Sequence, residues 1–360
     1  MCSLCTCRGS KSSISAVSTS EYSAIDKYIK NILVTGGEGY IGTILAQNLL
    51  KNGHSVTSLD NLLYNNHLCV VNKTHFQNYR FVYGDMLDIN ILKPLIDEAD
   101  IVIMLAGLVG DPITKKYPKQ AALINDRGNK TVIDLCAKNN LEKLVFVSTC
   151  SNYGLIENDE LADEKHELNP LSLYAKSKVN AEKHILSLKD KTDIHPTILR
   201  FATAFGLSPR MRFDLTISEF TRDLAIGKEL LVYDAHTWRP YCHVQDFSRL
   251  LQMVIEAPTN KVSFEVFNAG SDVNNATKQM IVDSILEKIP NGRVCYRALG
   301  SDPRNYRVNF QKVKTVLGFQ PKYTIQDGID ELIEAIRNHV FDHVDESRNF
   351  FGNYEIDYPI

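Results

Sequence analysis

The 360-residue chain nowhere strings together the roughly 18 apolar residues that a membrane-spanning helix needs, and its Met1 end lacks the apolar core of a secretory signal. The expected location is therefore the cytoplasm. Charge of one sign is missing too: 40 Lys and Arg stand against 43 Asp and Glu, leaving −3. Such a balance gives no basic face for nucleic acid or anionic lipid and directs attention to a small-molecule partner. There is no tandem repeat of the kind that builds solenoids, and no low-complexity linker inside the body. Eight cysteines are present, but Cys69, Cys136, Cys150, Cys242 and Cys295 lie singly among apolar residues, as reduced core thiols do. No metal site is expected, because no second Cys/His cluster completes a set of four ligands around Cys2, Cys5 and Cys7. What remains is a chain, 44% hydrophobic, able to bury one large core or two modest ones.

Residues 1–29, rich in Ser and Cys and without hydrophobic period, are expected to form a mobile extension. From Lys30 the pattern is regular. "NILVTG" is a short β-branched run, "IGTILAQNLLKNGH" carries Ile41, Leu45, Leu49 and Leu50 at helical spacing, and "SVTSLD" is a second strand. Further strands are predicted at "YRFVYGD", "DIVIMLAG", "LVFVST" and "HPTILRFA", with helices between them. Alternation of helices with strands that are apolar on both faces predicts an α/β fold: a doubly wound parallel sheet of Rossmann type.

The first strand runs into Thr35-Gly36-Gly37-Glu38-Gly39-Tyr40-Ile41-Gly42. Glycines 36, 39 and 42 allow a tight turn, close approach of backbone to a pyrophosphate, and close packing of helix on strand; the helix start offers N–H groups to phosphate. Asp60, closing the second strand, is placed to hold the adenosine ribose hydroxyls and to repel a 2′-phosphate, so the cofactor expected is NAD rather than NADP. Asp85, at the end of the third strand, is a candidate partner for the adenine amine. Tyr40, Ile41, Asn61, Met86, Leu105, Ala106 and Gly107 complete the candidate cofactor lining, and Leu108, Val109 and Gly110 are expected beside the nicotinamide.

Tyr174 and Lys178 in "LYAKSK" share one helix face. A phenol is too weak an acid to serve as a base near neutrality unless a cation stabilises its phenolate, and an adjacent Lys178 ammonium is expected to do so. Tyr174 could then take a proton from a substrate hydroxyl while hydride leaves the same carbon.

These motifs together, T-G-G-x-G-x-I-G, Asp60, the S-T-x-x-x-Y-G of Ser148–Gly154, Tyr174/Lys178 and the "RPYCHVQD" of Arg239–Asp246, resemble the extended short-chain dehydrogenase/reductases, the NAD-dependent nucleotide-sugar epimerase/dehydratase family. The resemblance spans residues 31–337 and is closest to a subgroup like the GDP-heptose 4-dehydrogenases. It implies NAD, a nucleotide-diphosphate sugar as substrate, and a homodimer. It also implies that Thr149 holds the reacting sugar oxygen, Tyr174 is the base, and Lys178 binds the nicotinamide ribose, so that NAD takes hydride from C4 to give a 4-keto sugar. The 4,6-dehydratases of the family place Asp-Glu directly after that Thr, where this chain has Cys150-Ser151. Neither is an acid matched to protonating a departing hydroxide, which disfavours dehydration.

The function expected is a nucleotide-sugar 4-epimerase, with a 4-dehydrogenase or 4-ketoreductase as the alternative and a non-catalytic NAD-binding sensor as the reading of a different class. For substrate the candidates are Val109, Thr149, Thr203 (where the family usually has Asn), Arg210, Arg212, Arg239 and Arg304, the arginines being suited by their planar forks to a diphosphate. Arg297 competes with Arg304 for a second clamp, Asp111 has no assigned role, and the tempting pair His243 and Asp246 is read as structural. The domains expected are 30–206 for NAD, with 237–270 returning to it, a smaller substrate lobe from 207–236 and 271–345, and a tail, 346–360.

Overall fold

Short β-branched runs set the centre of the molecule. The computed structural model describes residues 29–156, 160–298 and 304–359; the Ser/Cys-rich stretch with Cys2, Cys5 and Cys7 lies outside them. The strands are β1 (Asn31–Thr35), β2 (Ser55–Asp60), β3 (Tyr79–Tyr83), β4 (Ile101–Met104), β5 (Lys143–Thr149), β6 (Leu161–Ala162), β7 (Pro196–Phe201), β8 (Thr203–Phe205), β9 (Leu230–Tyr233), β10 (Trp238–His243), β11 (Glu265–Ala269), β12 (Asn275–Thr277), β13 (Val294–Arg297) and β14 (Arg307–Val308). Seven form one parallel sheet in the order β11-β7-β5-β4-β1-β2-β3.

The pleat sorts successive residues to opposite faces, and both faces are buried. Ile32, Val34, Ile101, Ile103, Val145 and Val147 face helices Gly42–Lys51 and Val244–Glu256 through Leu45, Leu49, Leu250 and Val254. Their neighbours Leu33, Val102, Met104, Leu144 and Phe146 face the other layer, with Leu92, Ile96, Val132, Ile133 and Ile185. Strand order reverses between β1 and β4, which opens a crevice at the carboxyl ends of the strands, where ligands bind in such sheets. The chain segments that carry Gly36, Asp60, Asp85, Leu105, Thr149 and Thr203 all leave the sheet on that side.

The second layer of structure has its own core, Phe205, Ile217, Phe220, Leu224, Leu230, Ile281, Ile285, Ile329 and Ile333. It carries a three-stranded sheet, β12-β10-β8, and the pair β13-β9. Of the stretch 237–270, β11 joins the large sheet while β10 lies in the small one. The helical run between β4 and β5 is broken into Pro118–Ala121, a π-helical turn Ala122–Gly128 and Asn129–Cys136. The extra residue has a use: Asn125, inside the wide turn, accepts from Leu108 N (2.8 Å) and donates to Leu108 O (2.9 Å), fixing the loop after β4.

The tail is strapped down. Phe213 N donates to Phe351 O (2.8 Å), Lys116 pairs with Glu355 (3.0 Å), Ile356 is buried, and Tyr358 packs against the core beneath the sheet.

Candidate active site

A cleft of about 420 Å³ runs along the strand ends. At one end the glycine turn leaves no space for side chains. Gly36 has φ +73°, and a Cβ there would lie 2.7 Å from the Ala106 backbone; on Gly42 it would lie 2.5 Å from Gly36 O. A turn this tight, opening a helix, is what a pyrophosphate requires. Asp60 sits across from it, its oxygens accepting from Glu38 N (3.0 Å) and Leu62 N (2.8 Å). Burial, with some repulsion from Glu38, pushes its carboxyl up to about 6 against those two hydrogen bonds.

Sequence reading missed what holds this turn from behind. Glu38 and Lys73 form an ion pair (2.7 Å) whose side chains are both 0% exposed. Ser58 Oγ (2.7 Å) and Tyr79 OH (2.8 Å) donate to Glu38, and Lys73 donates to Thr43 Oγ1 (2.9 Å) and Cys69 O (2.6 Å). Every strong polar group of this cluster is satisfied, the condition on which buried charge is tolerated. The one sequence signal was a glutamate inside a glycine turn.

Asp85 lines the same end, but its carboxylate already accepts from Tyr358 OH (2.7 Å), Asn61 Nδ2 (3.1 Å) and Leu87 N (2.8 Å). Met86, Leu105, Ala106, Gly107, Gly39, Tyr40 and Ile41 also line the cleft. The Tyr40 hydroxyl reaches away from it, to Gly206 O (2.6 Å), and so stitches the glycine turn to the second lobe.

At the other end helix Leu173–Leu186, capped by Ser172, presents Tyr174 and Lys178 to the cleft. Lys178 Nζ donates to Val147 O (2.8 Å) and lies 5.9 Å from the centre of the Tyr174 ring. Burial pushes its ammonium down to about 8, with Glu182 opposing. Here the structure corrects an expectation: the Tyr174 phenol is held above, not below, its ordinary value, first by burial and then by the charge of Asp111, with Arg212 and Arg304 opposing. Burial is the leading cause, and the Lys178 ammonium directs a proton at the Val147 carbonyl. Thr149 lies between, its Oγ1 accepting from Ser151 N (3.1 Å), which leaves its O–H proton to an oxygen in the cleft.

Residues 32–270 match the family model for the NAD dependent epimerase/dehydratase family. The chain belongs to that family. The dTDP-glucose 4,6-dehydratase of Streptomyces niveus is 26% identical over 86% of this chain and 93% of its own length. A UDP-N-acetyl-alpha-D-glucosaminuronate decarboxylase of Bacillus cytotoxicus is 26% identical over 86% of this chain and 98% of its own. Among solved structures, the UDP-glucuronic acid 4-epimerase of Bacillus cereus, in complex with UDP-glucuronic acid and NAD, superposes with a TM-score of 0.78 at 25% identity, covering 86% of this chain and 99% of that one. This is therefore an NAD-dependent epimerase/dehydratase-family chain of Rossmann type, and the glycine turn and Asp60 fit the adenosine and pyrophosphate of that cofactor.

Within this family member, Cys150 turns into the core, its thiol donating to Arg200 O (3.1 Å), and burial pushes it far above its ordinary range. Ser151 instead faces the cleft and meets Tyr306 OH (3.2 Å) and Arg304 Nη1 (3.2 Å). Ser148 also lines the cleft, and its hydroxyl donates to the buried Glu182, which is clamped by Arg200 (2.8 Å) and Asn152 (2.8 Å). Its hydroxyl thus anchors the Tyr174 helix.

Of the substrate candidates, Thr203, Val109, Arg239 and Arg304 line the cleft. Arg210 and Arg212 line it too, but their forks are engaged within the protein. Arg210 donates to Asn353 Oδ1 (2.7 Å) and Gly352 O (3.1 Å), and Arg212 is bidentate to Asp214 (2.6 and 2.5 Å). Lys278 and Asp111, which the sequence left without a role, are in the lining. Arg297 is exposed on β13 and outside it. His243 pairs with Glu331 (2.8 Å) and stacks on Tyr323, while Asp246 accepts from Lys322 N and Tyr323 N, so both hold the fold. Among the described residues no group of His, Cys, Asp and Glu could hold a metal, and no helix is long and apolar enough to cross a membrane.

Proposed function

We propose that this chain is a nucleotide-sugar 4-epimerase that oxidises the C4 hydroxyl, turns the 4-keto sugar over and reduces it on the other face. The observation that carries the reading is the composition of the cleft beside Thr149: where a dehydratase needs an acid, Cys150 is buried away from the cleft and Ser151 offers a hydroxyl. Asp111, a carboxylate of the same lining, is paired with Arg304 at 2.8 Å.

When bound, NAD supplies a hydride acceptor and donor and, in its oxidised form, a positive charge beside the phenol. Gly36, Gly39, Gly42 and Asp60 would hold its adenosine and pyrophosphate, and Lys178 its nicotinamide ribose. Thr149 donates to the sugar's reacting oxygen, and Tyr174 takes the hydroxyl proton. Burial and the charge of Asp111 hold the Tyr174 phenol high while Arg212 and Arg304 oppose them, and the positive charge of the oxidised cofactor would add to that opposition. Arg239, whose Nη1 donates to Trp238 O (2.7 Å) and whose guanidinium stacks on Tyr306 at 5.1 Å, and Lys278, which donates to Tyr233 O (2.7 Å), line the cleft with Arg210 and Arg212 and are the cations proposed to meet the diphosphate.

The test is mass spectrometry and NMR of the product from a panel of GDP-, UDP- and dTDP-sugars in heavy water. A C4 epimer of unchanged mass is expected. Loss of water with deuterium at C5 would show a dehydratase, and NADH accumulating in step with a keto sugar would show a dehydrogenase.

A further inference from the structure

The sugar end of the cleft contains a charge pair that the proposed chemistry does not use. Asp111 opens helix Asp111–Lys116 and follows Gly110, whose φ of +118° turns the chain back toward the cleft. Its Oδ2 binds Arg304 Nη1 at 2.8 Å, and Arg304 continues to Ser151 Oγ and, through it, to the Tyr306 hydroxyl. Its other oxygen, Oδ1, is buried and meets no hydrogen-bond donor. All four residues line the cleft, and the charges of Asp111 and Arg304 both act on the Tyr174 phenol, so the pair lies within electrostatic reach of Tyr174.

A buried carboxylate oxygen without a donor costs free energy of a kind that native proteins rarely leave standing, unless a ligand supplies the partner. A sugar hydroxyl can supply such a donor. A second carboxylate in the same place would find no proton to share and would face the Asp111 charge, while the Arg304 fork is already turned to Asp111 and Ser151.

We propose that Asp111 is the residue that selects the sugar: it accepts a hydroxyl of a neutral hexose and rejects a hexuronate. This rests on the nucleotide-sugar reading above. It also separates this chain from the B. cereus structure solved with UDP-glucuronic acid and from the glucosaminuronate decarboxylase, whose names specify acidic sugars.

The test is the binding of matched pairs, UDP-glucose against UDP-glucuronate and the GDP- and dTDP-hexoses against the corresponding hexuronates, by calorimetry on the NAD-loaded protein. With the base that binds, the neutral member is expected to be tighter by about tenfold or more. Asp111→Asn, with NAD content as the control for folding, is expected to collapse that ratio by weakening the neutral sugar and strengthening the hexuronate. A merely structural Asp111 would lower both members together and leave the ratio unchanged. Equal affinity for both members, or a ratio unmoved in Asp111→Asn, overturns the proposal. Failure of every nucleotide sugar to bind overturns the nucleotide-sugar reading along with it.

Discussion

The two ends of the cleft are built from the same kinds of residue but use them in opposite ways. At the cofactor end the backbone forms the surface: glycines without room for a Cβ, and a carboxylate fixed by two N–H groups. At the sugar end the surface is side chains, and several of those that look free in the sequence are already paired, Arg210 with the tail, Arg212 with Asp214, and Asp111 with Arg304. A motif that acts through backbone is tied to a local sequence, whereas an arginine's role depends on which partner the fold brings to it.

The largest effect expected lies in the reacting pair. Tyr174→Phe should lower turnover by roughly 10²- to 10⁴-fold, the ordinary contribution of a positioned proton acceptor, while bound NAD and thermal stability stay as in the parent. Stopped-flow NADH absorbance in a single turnover measures it. Turnover within a fewfold of wild type would remove Tyr174 from the chemistry.

The two ends are then separated by exchanging arginines. Arg210→Met leaves Asn353 Oδ1 and Gly352 O without their donor in a buried place and should cost about 3 kcal/mol of unfolding free energy, read from urea denaturation. Arg239→Met should raise the substrate Kd by about tenfold or more, since its guanidinium is the one proposed to meet the diphosphate. The reverse pattern would return the diphosphate to Arg210.

This contrast is also why the sequence was readable in some places and not in others. The sheet, Gly36, Gly39, Gly42, Asp60, and the Tyr174/Lys178 spacing are local patterns, and local patterns carry their geometry with them. Glu38 with Lys73, Ser148 with Glu182 and Arg200, and Asp111 with Arg304 join residues far apart in the chain. No periodicity announces such pairs. The direction of the Tyr174 shift is hidden for a related reason: the ammonium four residues away is visible in the sequence, whereas the burial and the Asp111 charge that raise the phenol are not.

Lys178 sharpens the comparison through pH. Its folded value of about 8 lies below the 10.5 of an exposed lysine. Between those two values the unfolded chain binds more protons than the folded one, so stability rises with pH across that window, and the burial penalty is fully present below it. Lys178→Met, stripped of NAD, should therefore be more stable than the parent below pH 8 by roughly 2 kcal/mol, after allowance for the lost bond to Val147 O, with the gap closing toward pH 10.5. Thermal melts at several pH values test this. A gap that stays constant with pH would mean that the folded protein keeps Lys178 at its ordinary value.

The smallest effect expected tests whether the ends are independent at all. The tail touches both: Asn353 Nδ2 donates to Val109 O at 2.9 Å beside the sugar end, and five residues later Tyr358 OH donates to Asp85 at 2.7 Å beside the adenosine end. Between them Lys116 holds Glu355, and Ile356 is buried. A segment fixed at both ends of a cleft resists its opening, so the release of NAD should require the tail to lift. Tyr358→Phe removes one hydrogen bond to a carboxylate, a net loss of about 1 kcal/mol, and should speed NAD dissociation by about fivefold with turnover unchanged. Release can be followed by displacement with a fluorescent NAD analogue. If the rate does not change, the tail serves the fold alone and the two ends work separately. If NAD and sugar affinities both fall, the tail couples them, as the proposed epimerase, which would return its hydride to the same sugar, requires.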